Sequence, residues 1–113
     1  MLAATDRFET DLATLAERAK ALSHPARLRI LQVLAERDEC ICGEIVDDLP
    51  LAQATVSRHL KKLKEAGLVQ GTIDGPRVCY CLDRDALARL RAAHEAFFGG
   101  LDLPAQPPSS KCC

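Results

Sequence analysis

The chain has 113 residues, 15 Lys plus Arg against 16 Asp plus Glu, six Cys and no Trp. At roughly 150 residues per domain this is one domain with a modest core. A net charge of −1 excludes nucleic-acid binding by bulk positive charge but not by a local basic face, and 4% aromatics argue against base-stacking platforms.

The first residues, MLAATDRFETDLA, show no basic run followed by a long apolar one. No window approaches about 18 consecutive apolar residues. The expectation is a cytoplasmic chain whose thiols stay reduced. Phe8, Leu12, Leu15, Ala16, Ala19 and Leu22 recur at helical spacing and predict a first helix over 6–22. Pro25 suits a first helical turn and Ser23 is the expected cap of a second helix ending near Glu36. Its apolar positions are Leu28, Ile30, Leu31, Val33 and Leu34.

Cys40-Ile41-Cys42 reads as a short extended segment. A short helix over 44–49 follows, with Pro50 ending it. After a turn at 51–53, a strong helix over 54–66 carries Val56, Leu60 and Leu63 on one stripe and stops at Gly67. Strands over 68–73 and 77–82 flank the hairpin signal Asp74-Gly75. With Val78, Tyr80 and Leu82 facing the core, Cys79 and Cys81 are expected to face outward. A last helix over 84–98 stops at Gly99-Gly100. The rest, LDLPAQPPSSKCC, is Pro- and Ser-rich and reads as a disordered tail. The organisation expected is therefore one domain over 1–100 and a tail over 101–113.

A short helix, a tight turn, a second helix and a hairpin make a winged helix-turn-helix, mainly α with a small β wing. Four of the eight residues from Ser57 to Lys64 are Lys or Arg, and no acid appears from Leu51 until Glu65. A basic helix face alone is often no more than a solvated surface. Next to a turn and a hairpin it suits phosphate contacts, which supply most salt-dependent affinity. Gln53, Thr55, Ser57 and Arg58 lie near the N-terminus of this helix, where base edges are read. Lys61, Lys62 and, on the wing, Arg77 are candidate DNA contacts. His59 has two readings, a DNA contact or a helix-packing hydrogen-bond donor.

LSHPARLRILQVL, ECICGEI, TVSRHLKKLKEAGLV and GPRVCYCL resemble the ArsR/SmtB family of metal-responsive bacterial repressors, over roughly residues 15–95. The resemblance implies a homodimer, built from the first and last helices, that binds an operator palindrome. It implies that an effector weakens DNA affinity and opens a resistance operon. ECICGEI resembles the arsenic and cadmium/lead signature of the family. There are departures. Ile45 stands where some arsenic-responsive members have a third Cys. No Cys precedes Cys40, unlike cadmium/lead-responsive members. Zinc-responsive members use Asp and His on the last helix. Here His94 stands almost alone, with Asp83 and Asp85 as weak candidates, and it reads better as an interface or core histidine.

Six cysteines, about 5% of the chain, fall short of a disulfide scaffold. They form three pairs. Residues i and i+2 of a helix point about 200° apart, whereas on an extended segment they point the same way. Cys40 and Cys42 share this spacing with Cys79 and Cys81. If the first segment pairs with the second wing strand, Ile41 joins Tyr80 in the core. All four thiols then emerge on one outer face, on strands about 5 Å apart. Three thiolates suit pyramidal As(III) or Sb(III), and four suit tetrahedral Zn(II) or Cd(II). The family resemblance favours arsenite. A permanent zinc clip or plain free thiols are the bland readings. Cys112 and Cys113 either complete a site or are incidental.

Alternatives remain at this point. A repressor of the same fold responding to cadmium, lead or zinc, or to thiol oxidation or persulfide, fits the same residues. A thiol-dependent metalloid reductase lacks a phosphate-type oxyanion loop and a His/Asp constellation, so an enzyme is not expected. A soft-metal chaperone does not need the basic helix.

Overall fold

A computed structural model describes residues 10–37, 40–41, 49–74 and 77–104 of the chain. The elements are α1 (Thr10–Ala21), α2 (Pro25–Arg37), α3 (Gln53–Glu65), β1 (Val69–Asp74), β2 (Arg77–Leu82) and α4 (Arg84–Gly99). Each expected element within these residues forms, with ends shifted by a few positions. The expected short helix over 44–49 lies outside the described residues apart from Leu49, as do Cys42, Cys112 and Cys113.

Ser23 is not the cap of α2. With Pro25 in the first helical position, the cap falls on the residue just before it. His24 takes that role, its Nδ1 accepting from the Ala26 N–H at 3.0 Å. Ser23 serves α1 instead, its hydroxyl donating to the Lys20 carbonyl at 2.6 Å.

Gly67 ends α3 in the left-handed region, with φ of 80°. The Gly67 N–H donates to Lys64 O at 2.9 Å and the Leu68 N–H to Leu63 O at 3.0 Å. This is a Schellman turn, usually accompanied by an apolar contact between the residues that Leu63 and Leu68 represent. Both are completely buried. The turn therefore fixes the angle at which the chain leaves α3 to enter the wing. The wing then packs close to α3. A side-chain carbon at Gly71 would lie 3.2 Å from the Lys64 Nζ.

One apolar core joins the elements. Ile30, Val33 and Leu34 of α2 meet Val56, Leu60 and Leu63 of α3, with Ile41, Leu49, Leu68, Val69 and Leu90 completing it. β1 and β2 pair antiparallel from Val69↔Leu82 to Asp74↔Arg77. Ile41 adds an antiparallel bridge on the other edge of β2, opposite Tyr80, as the period-2 reading expected. The segment leading toward α3 is thus tied to the wing by backbone.

The expected facing of β2 needs correction. Val78 is 48% exposed and Cys79 only 4% exposed. Val78 pairs with Ile73, one pair from the hairpin tip. Cys79, which is disulfide-bonded, is thus on the covered side of β2 at this position.

Asp83 caps α4. One carboxylate oxygen accepts from the Ala86 N–H at 2.9 Å and the other from Gln70 Nε2 at 3.3 Å. The Ala86 N–H is the main reason its carboxyl sits below the ordinary range. Both oxygens are thus engaged in joining the wing to α4. α1 and α4 pack together, and Leu12, Phe97, Phe98, Leu101 and Leu103 remain exposed. Among the described residues no helix is long and apolar enough to cross a membrane.

Candidate functional site

α3 is amphipathic because its apolar residues recur at 56, 60 and 63, one face of a 3.6-residue period. Burying that stripe against α2 turns the rest of the helix outward. Gln53, Ser57, Arg58, Lys61, Lys62 and Lys64 are exposed, while Thr55 and His59 are half-buried toward α2. No acid occupies the first turn, and Ala52 caps the helix without a side-chain bond. Among the described residues no acid or side-chain cap thus neutralises the positive end of the helix dipole, which favours an anion there. Arg58 Nη2 reaches Thr55 Oγ1 at 3.5 Å, and Lys62 stands 3.8 Å from Glu65. Both contacts are exposed and weak. Of the wing's Arg77, the structure describes the backbone, paired with Asp74 at the hairpin.

An open groove of about 440 Å³ runs along this face, lined by Arg27, Thr55, Arg58, His59, Lys61, Lys62 and Glu65. Arg27 was not among the sequence candidates. Its guanidinium Nε donates to His59 Nδ1 at 3.1 Å, and its Nη1 reaches the Ala21 carbonyl at 3.4 Å. The His24 and His59 rings pack at a tilt of 48°, with centroids 4.4 Å apart. His59 is thus a packing residue between α2 and α3, and its Nδ1 accepts a bond rather than donating one. That arrangement leaves Nε2 as the protonated nitrogen. The only sequence signal for Arg27 is a charge placed beside the apolar stripe of α2.

The pKa of His59 is lowered, first by burial and then by His24, Arg27 and Arg58. A proton on Nδ1 would also face the Arg27 donor. Below the ordinary imidazole value of about 6.5, the unfolded chain therefore takes up a proton that folded His59 resists. Stability is fully present above that value and is lost as pH falls toward the lowered one. Thermal melts followed by circular dichroism are expected to show this acid-side loss, and it should shrink in His59→Gln.

The cysteines gather on the wing. The Ile41 N–H donates to Tyr80 O and the Tyr80 N–H to Ile41 O, each at 2.9 Å. Cys40 and Cys81 are therefore opposite each other in the neighbouring non-hydrogen-bonded pair, where side chains approach most closely. Their Cα atoms are 4.4 Å apart and their sulfurs form a disulfide. Cys79 lies two residues along the same strand and is likewise disulfide-bonded. Cys40 is exposed and Cys81 half-buried. Among the described residues no three His, Cys, Asp or Glu side chains form a metal-binding group. Asp85 is exposed in the first turn of α4. His94 is half-buried on the same helix near Phe98, its Nε2 without a hydrogen-bond partner among the described residues.

Residues 22–72 match the model of a helix-turn-helix domain family. The chain is 38% identical over 77 residues to the HTH-type transcriptional regulator Rv0081 of Mycobacterium tuberculosis, covering 68% of each chain. It superposes with a TM-score of 0.66 and 31% identity on the crystal structure of a possible transcriptional regulator for arsenical resistance, covering 76% of this chain and 86% of that one. It superposes with a TM-score of 0.64 and 27% identity on the homodimeric winged helix-turn-helix domain of Mb0332 from Mycobacterium bovis, a possible ArsR-family regulator, covering 90% and 94%. A winged helix-turn-helix with an outward-facing basic helix, matched across most of its length by such regulators, belongs to the ArsR/SmtB family of DNA-binding transcriptional repressors.

Proposed function

We propose that this repressor acts as a homodimer in the cytoplasm and is released from its operator when a thiophilic ion, arsenite first, is bound by cysteine thiolates. The observation that carries the reading is the Ile41–Tyr80 backbone pairing, which holds Cys40 against Cys81. It places soft donors where the lead-in to α3 meets the wing. With their disulfides reduced, Cys40, Cys79 and Cys81 supply three sulfurs on two neighbouring strands. Cys42, at the same i, i+2 spacing, is the fourth candidate, and Cys112 and Cys113 are further ones. Such a donor set suits As(III) or Sb(III), and with four sulfurs Cd(II) or Zn(II).

In the DNA-bound dimer, α3 lies in the major groove. Gln53, Thr55, Ser57 and Arg58 face base edges, while Lys61, Lys62 and Arg77 meet phosphates. His59 and Arg27 hold α3 at its angle to α2. The likeness to a homodimeric domain and the exposed Leu12, Phe97 and Phe98 support a dimer through α1 and α4, with His94 beside that face. Drawing thiolates around an ion shifts the lead-in segment relative to the wing. A coupling of about 1–3 kcal/mol weakens operator affinity about 5–150-fold.

A gel shift of the reduced protein on its own promoter DNA, titrated separately with arsenite, antimonite, Cd(II) and Zn(II), tests this. Arsenite is expected to release wild type and to leave Cys40→Ser bound. Indifference of the reduced wild type to all four ions removes the reading.

A further inference from the structure

We propose that Cys40 and Cys81 form a reversible thiol–disulfide switch that responds to hydroperoxides and lowers operator affinity. It rests on the preceding reading in one respect, that the link between the lead-in segment and the wing controls DNA binding.

The pair is built for the bond. The two mutual hydrogen bonds at Ile41 and Tyr80 fix the register, and the Cα separation of 4.4 Å lies within the disulfide range of about 4.4–6.8 Å. The backbone pairing is compatible with the bond, so closing it requires no refolding. The two sulfurs also differ in access. Cys40 is exposed and meets the oxidant, and Cys81, half-buried beside it, resolves.

The chemistry balances with a hydroperoxide ROOH as oxidant. The Cys40 thiolate attacks one peroxide oxygen and the O–O bond breaks. ROH leaves after protonation, and Cys40 becomes a sulfenic acid. The Cys81 thiolate then attacks that sulfur, the S–S bond forms, and the hydroxide leaves as water. Two thiols lose two electrons to the peroxide, giving one disulfide, one ROH and one water. A dithiol reverses the step by exchange, with the mixed disulfide as intermediate.

Two consequences follow for the same site. The bond joins the two segments that an ion would draw together, so oxidation has the same direction of effect on operator affinity. It also consumes two donors, so the oxidised chain no longer offers those sulfurs to an ion. Peroxide and arsenite are therefore alternative, mutually exclusive inputs.

The test uses the full-length reduced protein, treated with hydrogen peroxide or with arsenite. The readouts are gel shift and tandem mass spectrometry of non-reduced tryptic peptides. Trypsin places Cys40 and Cys42 in one peptide and Cys79 and Cys81 in another, so a Cys42→Ser/Cys79→Ser variant isolates the pair. Peroxide is expected to yield the Cys40–Cys81 cross-link and to lower operator affinity at least about 5-fold, with recovery in dithiothreitol. With Cys81→Ser added to that Cys42→Ser/Cys79→Ser background, peroxide should give no cross-link and no change relative to the variant's own untreated affinity. If arsenite releases DNA but peroxide forms no cross-link, or the cross-link leaves affinity unchanged, the switch is overturned and the ion reading stands. If peroxide releases DNA and arsenite does not, the switch stands and the ion reading falls. If neither releases DNA, both fall.

Discussion

Replacing Lys61 and Lys62 together by alanine is expected to flatten the salt dependence of operator binding. The slope of log affinity against log salt should fall by about one unit per lysine in each protomer. Both side chains are exposed, on the half of α3 turned away from Val56, Leu60 and Leu63. Neither supports the core, so stability should stay within about 0.5 kcal/mol of wild type. Because phosphates carry no sequence information, affinity should drop almost equally for operator and non-operator DNA. Arg58→Ala should behave differently. Arg58 sits nearer the helix N-terminus, and its weak bond to Thr55 leaves its guanidinium available. Losing a bidentate base contact should cost about 1–3 kcal/mol on operator DNA and much less on random DNA. Fluorescence anisotropy at several salt concentrations, on both DNAs, separates the two outcomes. Equal losses for all three residues on both DNAs would make α3 a phosphate clamp only.

Leu63→Ala is expected to destabilise the fold by about 2–5 kcal/mol. Leu63 is completely buried in the cluster that joins α2, α3 and α4. Its carbonyl also accepts the Leu68 N–H that closes the turn at Gly67. The truncation therefore opens a cavity and removes the apolar half of that turn. A fall in Tm of roughly 10 °C or more follows for a domain of this size. Chemical denaturation should show a lower midpoint with unchanged slope. A fall within the range of a surface substitution would show that the cluster collapses around the gap.

The helices and the wing were legible because burial imposes a period. Val56, Leu60 and Leu63 mark one face of α3, and Gly67 marks its end. The bridge between Ile41 and Tyr80 was legible only by way of the fold, since it followed once the first extended segment was taken to pair with the second wing strand. Other features depend on partners far away along the chain. Arg27 and His59 are 32 residues apart, and nothing in either neighbourhood announces their bond. The cap of α2 moved by one residue because a histidine nitrogen did the work expected of a serine hydroxyl. Alternation along β2 placed Cys79 and Val78 on opposite faces, but it could not say which face was covered near the hairpin tip. Oxidation of Cys40 and Cys81 is a state of the chain, so the sequence specifies only that the two sulfurs can meet.

That bond has a topological consequence. It connects positions separated by 41 residues, and α3, β1 and nearly all of β2 lie inside the ring it closes. A chain that unfolds with the bond intact keeps its DNA-facing helix and its hairpin in one covalent loop. On the chain-entropy estimate this removes about 4 kcal/mol from the freedom of the unfolded state. The oxidised repressor should then open to proteases less often than the reduced one. Redox state would in this way set the lifetime of the molecule as well as its hold on DNA.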